Sequence, residues 1–289
     1  MCIRDRHVKA SAHAIAHRSE SLHSLEKSMT DFDELRAAAQ AVADAARAET
    51  MTRFRQPLAV ERKADDSPVT VADREAEAAM RRVLAERYPG HGVLGEEHGA
   101  QGLEAGEFWV LDPIDGTKSY VSASPLWGTL VAHCSGGQPV LGLVDMPVLG
   151  ERWIGQRGRG ASCNGQPVQT RACSELTRAW VSATSPDMFN PAEWQAFDAL
   201  SRRAAMRRFG GDCYAYAQLA GGHLDAVIES NLQPYDYLPL VCLVEEAGGC
   251  ITDWLGRPLG VDSTGQVVAS ATPELHAELL AALAAAAQA

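Results

Sequence analysis

Asp112 and Asp115 follow the apolar run Trp109-Val110-Leu111, with Pro113 and Ile114 between them. Hard divalent cations favour oxygen donors, and Mg²⁺ is usually held by a few carboxylates while water and substrate phosphate complete its shell. An aspartate at a strand end, with a proline forcing the turn, is placed to bridge two ions while the second aspartate turns onto one of them. Gly116-Thr117 then opens a turn or helix whose unpaired backbone N–H groups point at an incoming anion. Two such aspartates could equally cap a strand-to-helix turn, where Asp is common. The surrounding acid separates the two readings: Gly95-Glu96-Glu97 lies upstream after Val93-Leu94, and Pro234-Tyr235-Asp236 far downstream.

These residues need a folded frame. The chain has 289 residues, 46% apolar and 22% charged, an ordinary globular composition that excludes disordered, collagenous and coiled-coil classes. Its net charge of −11 argues against general affinity for nucleic acid or anionic lipid, while leaving room for a small anion held by a local metal cluster. Seven scattered cysteines, an odd number without zinc spacing, point to a reducing compartment. No run approaches the roughly 18 apolar residues of a membrane span, and residues 1–28 lack the apolar core of a secretory signal, so a cytoplasmic protein is expected.

Residues 1–28 carry four of the nine histidines and no sustained periodicity, and are expected to be a disordered or non-native extension. From Thr30 a helical face of Phe32, Leu35, Ala39, Val42 and Ala46 predicts a first helix to about Thr50. A short extended piece from Leu58 to Glu61 follows, then a polar turn at Lys63. A second helix opens at Asp73 and ends at Tyr88-Pro89-Gly90. Phe108–Asp112, Gly128–His133, Val140–Asp145 and Arg152–Gln156 read as strands of one hairpin-linked sheet. The second half alternates strands at Ala179–Ala183, Met206–Phe209 and Asp225–Glu229 with helices at Pro191–Ala204, Asp212–Gly222 and Pro234–Ala247. Further strands at Cys250–Trp254 and Gln266–Ser270 precede a terminal helix. This order predicts one two-lobed unit over residues 29–289.

Gly95-Glu96-Glu97, the run Asp112-Pro113-Ile114-Asp115-Gly116-Thr117, and Pro234-Tyr235-Asp236 with Glu245-Glu246-Ala247-Gly248-Gly249 resemble the three signatures of the inositol monophosphatase superfamily in order and spacing over roughly residues 30–280. The resemblance implies an α/β layered sandwich (α-β-α-β-α) and Mg²⁺-dependent hydrolysis of a small phosphomonoester by a homodimer. It implies that Glu96, Asp112 and the Ile114 carbonyl hold one Mg²⁺, that Asp112, Asp115 and Asp236 hold a second, and that a third, looser ion also leans on Glu96. Two divalent ions would balance the four carboxylates, activate a water and stabilise the leaving alkoxide. By the same match, Asp73 works with Thr117 to orient and deprotonate that water. Asp115, Gly116 and Thr117 face the phosphate, and Glu229 reaches the organic half of the substrate. Glu97 is expected to turn away from Glu96, since neighbouring side chains in extended backbone point oppositely.

Gly210-Gly211-Asp212-Cys213-Tyr214-Ala215-Tyr216, and Tyr235 where inositol phosphatases generally carry Trp, look more like bacterial histidinol-phosphatases of the superfamily. Histidinol phosphate bears an ammonium and an imidazole, so an acidic wall from Glu229 and Asp212 fits it; Asp212 could instead cap its helix. An inositol monophosphatase or a broad sugar or nucleotide 3′-phosphatase remains the alternative, and a catalytically inactive regulatory protein a remote one. His133 and His223 are expected to be structural, Cys213 and Cys242 core, and Trp109 and Trp127 packing residues.

Overall fold

Apolar runs buried on both faces assemble into a mixed eight-stranded sheet, and the alternating second half builds a smaller five-stranded one. This computed structural model describes residues 32–57, 59–62 and 68–286. The extension 1–28, Leu58 and the turn at Lys63 lie outside the described residues. The chain divides between Ala38 and Ala39: among described residues the first unit supplies only the opening of helix α1 (residues 32–53), and the second holds everything that follows.

Strands β1 (Glu61–Arg62) and β2 (Pro68–Val69) pair ahead of helix α2 (Val71–Arg87). The large sheet contains β3 (Gly92–Gly95), β4 (Gly99–Gln101), β5 (Glu107–Asp115), β6 (Gly128–Ser135), β7 (Gln138–Met146), β8 (Glu151–Gln156), β9 (Ala161–Cys163) and β10 (Gln166–Val168), in the order β10-β9-β8-β7-β6-β5-β3-β4. Only β3 and β5 run parallel. Because side chains alternate along a strand, Phe108, Val110, Leu130, Ala132 and Val144 enter the central core. Their neighbours, among them Trp109, face the other way toward Tyr88 at the end of α2.

Helices α5 (Cys213–Ala220) and α6 (Pro234–Glu246) form the central layer. Ala132, Gly142 and Gly155 lie side by side across β6, β7 and β8, a flat strip on which α6 settles. A Cβ on Gly142 would stand 2.0 Å from the Pro239 carbonyl oxygen, and one on Gly155 2.2 Å from that of Cys242. The small side chains therefore set how closely α6 approaches the sheet.

The second sheet takes the order β12-β11-β13-β15-β14, from β11 (Trp180–Ala183), β12 (Met206–Phe209), β13 (Ala226–Glu229), β14 (Cys250–Thr252) and β15 (Val267–Ser270). Val227, Val267 and Ala269 face α5 and α6, while Val181, Ile228 and Val268 pack against α4 (Pro191–Ser201) and α7 (Pro273–Ala286). Helix α2, large sheet, α5 with α6, small sheet, and α4 with α7 make the α-β-α-β-α sandwich. Two features depart from the sequence reading. The β5 strand runs to Asp115 rather than stopping at Asp112, and β4, β9 and β10 carry no strand signal in the sequence, each being only three residues long and β4 and β10 largely exposed.

Candidate metal and phosphate site

Residues three apart in a regular strand point to opposite faces. Between Asp112 and Asp115 the register against β6 shifts: Asp112 pairs with Leu130 and Asp115 with Gly128, so three steps on β5 match two on β6. This extra residue is a β-bulge, which turns both carboxylates to the same side. Oxygens of Asp112, Asp115 and Asp236 all lie within 4.8 Å of one another. Ile114 buries its side chain with Phe54, Tyr120 and Trp127. Its N–H donates to Asp112 Oδ1 at 2.9 Å, and its carbonyl accepts from Thr117 Oγ1 at 3.2 Å.

Two helices present aspartates in the same way. Asp73 is the third residue of α2, not its opening residue as the sequence suggested; Thr70 is the cap, and its N–H and hydroxyl donate to Asp73 Oδ2 at 2.8 and 2.6 Å. Asp236 is the third residue of α6 and accepts from Gln233 N–H at 2.7 Å. At this position a carboxylate meets the positive end of the helix while its free edge leaves the helix axis. Asp73 Oδ1 is buried and has no hydrogen-bond partner. Among described residues no hydrogen bond joins Asp73 to Thr117, because Thr117 turns its hydroxyl onto the Ile114 carbonyl.

Glu96 is set by a residue the sequence reading missed. Glu77, wholly buried on α2, accepts from Glu97 N–H at 2.6 Å and from Arg81 Nε at 2.7 Å. A Cβ on Gly95 would stand 2.0 Å from Glu77 Oε1, so the glycine before Glu96 makes room for this carboxylate. The available signal was an acid one helical turn after Asp73, on the face that carries Ala72, Ala76 and Met80.

The cluster is electrostatically incomplete. Burial, then the charges of Glu96, Asp115 and Asp236, push the Asp112 carboxyl well above its ordinary range. Burial and then Asp212 raise Asp115 to about 7, and burial and then Asp115 raise Asp236. Among described residues no Lys, Arg or His forms an ion pair with Asp112, Asp115 or Asp236. Buried like charges at this spacing require a cation or a proton. An all-oxygen donor set suits a hard divalent ion, so the group Asp112, Asp115 and Asp236, with the Glu96 charge acting on Asp112, fits such a metal.

The cluster opens into two adjoining spaces. An inner cavity of about 130 Å³ is bounded by Asp115, Asp212, Tyr216, Glu229 and Asp236, and an outer one of about 490 Å³ runs from Glu96 and Asp236 past Lys118 to Asp187 and Met188. Asp212 sits at the N-cap position of α5 without capping it; its backbone has φ 44° and its side chain accepts from Ser119 Oγ at 2.8 Å. That carboxylate lies against Gly116, where a Cβ would stand 2.9 Å from Asp212 Cγ. Glu229 closes the inner wall, its oxygens accepting from Thr184 N–H at 2.7 Å and Tyr216 hydroxyl at 2.9 Å. Burial raises its carboxyl to about 7. His133, Trp109, Trp127, Cys213 and Cys242 are buried as expected, and His223 is exposed. Six cysteines fall among the described residues, all of them free thiols. No described helix is long and apolar enough to cross a membrane.

The chain is similar to known proteins over nearly all of its described length. The family model for the inositol monophosphatase family matches residues 31–288. A bifunctional phosphatase from Arabidopsis thaliana, named IMPL2 and chloroplastic, is 42% identical over 89% of this chain and 77% of its own length. A histidinol-phosphatase from Streptomyces coelicolor is 38% identical over 87% of this chain and 97% of its own. The solved structure of an inositol monophosphatase from Zymomonas mobilis superposes with a TM-score of 0.81 at 40% identity, covering 88% of this chain and 98% of that one.

Proposed function

The chain belongs to the inositol monophosphatase family, phosphatases that hydrolyse phosphate monoesters, and we propose that it is a Mg²⁺-dependent histidinol-phosphatase releasing L-histidinol in histidine biosynthesis. The observation that carries the metal-dependent chemistry is the triad of buried Asp112 with half-buried Asp115 and Asp236, their oxygens within 4.8 Å of one another and no cationic side chain among the described residues paired with them. Glu96, Asp112 and the Ile114 carbonyl would hold one Mg²⁺, and Asp112, Asp115 and Asp236 the second; a third would lean on Glu96. When bound, such ions supply Lewis acidity toward phosphate, an acidified water and charge for the leaving oxygen.

The side chains do the rest. Asp73 Oδ1, the oxygen without a partner, is the one free to accept a proton from the attacking water. Thr117 Oγ1 donates to Ile114 and keeps lone pairs for the same water, so the two residues meet through it rather than directly. The first backbone N–H groups of α3 (Thr117–Val121), with Gly116 before them, face the phosphate. Asp212 and Glu229 form the acidic wall, where a cationic substrate relieves crowded negative charge.

The similarity to histidinol-phosphatases favours this substrate; the likeness to the Zymomonas mobilis enzyme favours the second reading, an inositol monophosphatase. A cytoplasmic homodimer is part of the proposal. Steady-state rates on histidinol phosphate, inositol 1-phosphate and a 3′-phosphonucleotide, with Mg²⁺ and with chelator, test it. Preference for histidinol phosphate and loss of turnover with chelator are expected; preference for either other ester overturns the substrate reading.

A further inference from the structure

The carboxylates around the cavities differ in what remains free to meet a substrate. The oxygens of Asp112, Asp115 and Asp236 converge within 4.8 Å, and these three with Glu96 are the proposed metal ligands. Each Glu229 oxygen already accepts one internal hydrogen bond, and Asp212 holds Ser119 while Lys118 is the charge that opposes its own. Asp187 is different. It is exposed on the wall of the outer cavity, and among described residues its carboxylate takes no hydrogen bond or ion pair; only its backbone N–H is used, donating to Ser185 Oγ at 3.2 Å. Met188 beside it lines both cavities.

The segment that presents Asp187 is pinned at both ends. At its start Thr184 N–H donates to Glu229. At its end Asn190 N–H donates to Glu193 Oε2 at 2.9 Å, while Glu193 Oε1 accepts from Ser230 Oγ at 2.7 Å and Gln266 Nε2 at 2.8 Å. Glu229 and Ser230 are consecutive, so one strand end fastens both ends of the segment. The outer cavity reaches from Glu96 and Asp236 to Asp187, and so offers the organic half of an ester room beyond the inner space that Glu229 closes when its phosphate sits at the cluster.

We propose that Asp187 is a specificity-determining residue whose carboxylate receives the ammonium group of an amino-alcohol phosphate, an assignment that rests on the histidinol-phosphatase reading. A neutral amide or a polyol would leave this carboxylate without a counter-charge. An exposed charge-assisted contact lies between an exposed ion pair and a desolvated hydrogen bond to a charge, which corresponds to roughly a 5- to 20-fold change in apparent affinity.

The test compares histidinol phosphate with its deamino analogue, which keeps the imidazole and the phosphate and lacks the amine. Wild-type protein should show the lower KM for histidinol phosphate. Asp187→Asn should raise that KM by about 5- to 20-fold, leave kcat within about twofold, and remove most of the discrimination between the two esters. Asp187→Glu should restore part of it. Equal changes on both esters would make Asp187 structural, and no change on either would make it a bystander; each overturns the assignment. Failure of wild-type protein to hydrolyse histidinol phosphate would instead overturn the substrate reading, and this assignment with it.

Discussion

The backbone N–H of Cys213 donates to Oδ2 of Asp115 across 2.6 Å, joining the first turn of α5 to the end of β5 over a separation of 98 residues. The N-terminus of a helix thereby orients one candidate metal ligand, and the dipole favours its charged form. To aim that N–H at Asp115, the preceding residue takes a backbone with φ 44° and ψ −144°, which a side chain makes unfavourable.

Asp212→Gly and Asp212→Ala should therefore differ in stability. Both lose the carboxylate, but only glycine adopts this backbone without strain, so Asp212→Gly should be more stable than Asp212→Ala by about 1 kcal/mol. Denaturant melts of the two variants decide it. An alanine variant at least as stable as the glycine variant would remove strain from the account of this turn.

Asp112→Asn should nearly abolish turnover while the protein stays folded, because it deletes the carboxylate proposed to lie between two ions. Retention of more than about a tenth of the wild-type rate, a barrier change under roughly 1.4 kcal/mol, would contradict the two-ion assignment. Rate measurements should be paired with circular dichroism to confirm folding.

Gly142→Ala should lower thermal stability and raise the Mg²⁺ concentration needed for activity together. The added methyl would stand 2.0 Å from the Pro239 carbonyl, which belongs to helix backbone and cannot rotate away. Overpacking of this kind costs roughly 1–3 kcal/mol or more, and relief requires moving the helix that carries Asp236. The readouts are the melting temperature and the Mg²⁺ concentration for half-maximal activity; wild-type values for both would refute the close-contact argument.

His133 should make the fold acid-sensitive between about pH 6.5 and 4. Its buried ring stacks on His91 at 5.3 Å between centroids and neither ring nitrogen has a hydrogen-bond partner. Glu107 Oε2 lies 3.2 Å from Nε2, out of line for a hydrogen bond. Burial drives the pKa down to about 4, with Glu107 opposing and His91 adding to the shift. The unfolded chain binds its proton near 6.5, so this contribution is complete above that pH and lost as pH falls toward 4, on the order of 3 kcal/mol. His133→Phe should shrink the difference in melting temperature between pH 7 and pH 4.5; an undiminished difference would place the acid sensitivity elsewhere.

Patterns between near neighbours were legible in the sequence. The alternation of elements was enough for layered helices and sheets in one unit, because hydrophobic period and turn chemistry act over a few residues, while the acidic run from Asp112 to Thr117, the glutamates after Gly95 and Asp236 carried the family resemblance that implied the five-layer order and the candidate metal ligands. Tertiary structure decided which atoms meet. A one-residue slip of β5 against β6 brings Asp112 and Asp115 to one side, Glu77 fills the space left by Gly95, and Cys213 reaches Asp115 across the central layer. The same is true of Asp187, which reads as a lone surface acid until the strand end at Glu229 and Ser230 fixes its segment beside the outer cavity. Such convergences depend on the packing of whole layers, which residue types and short spacings do not encode locally.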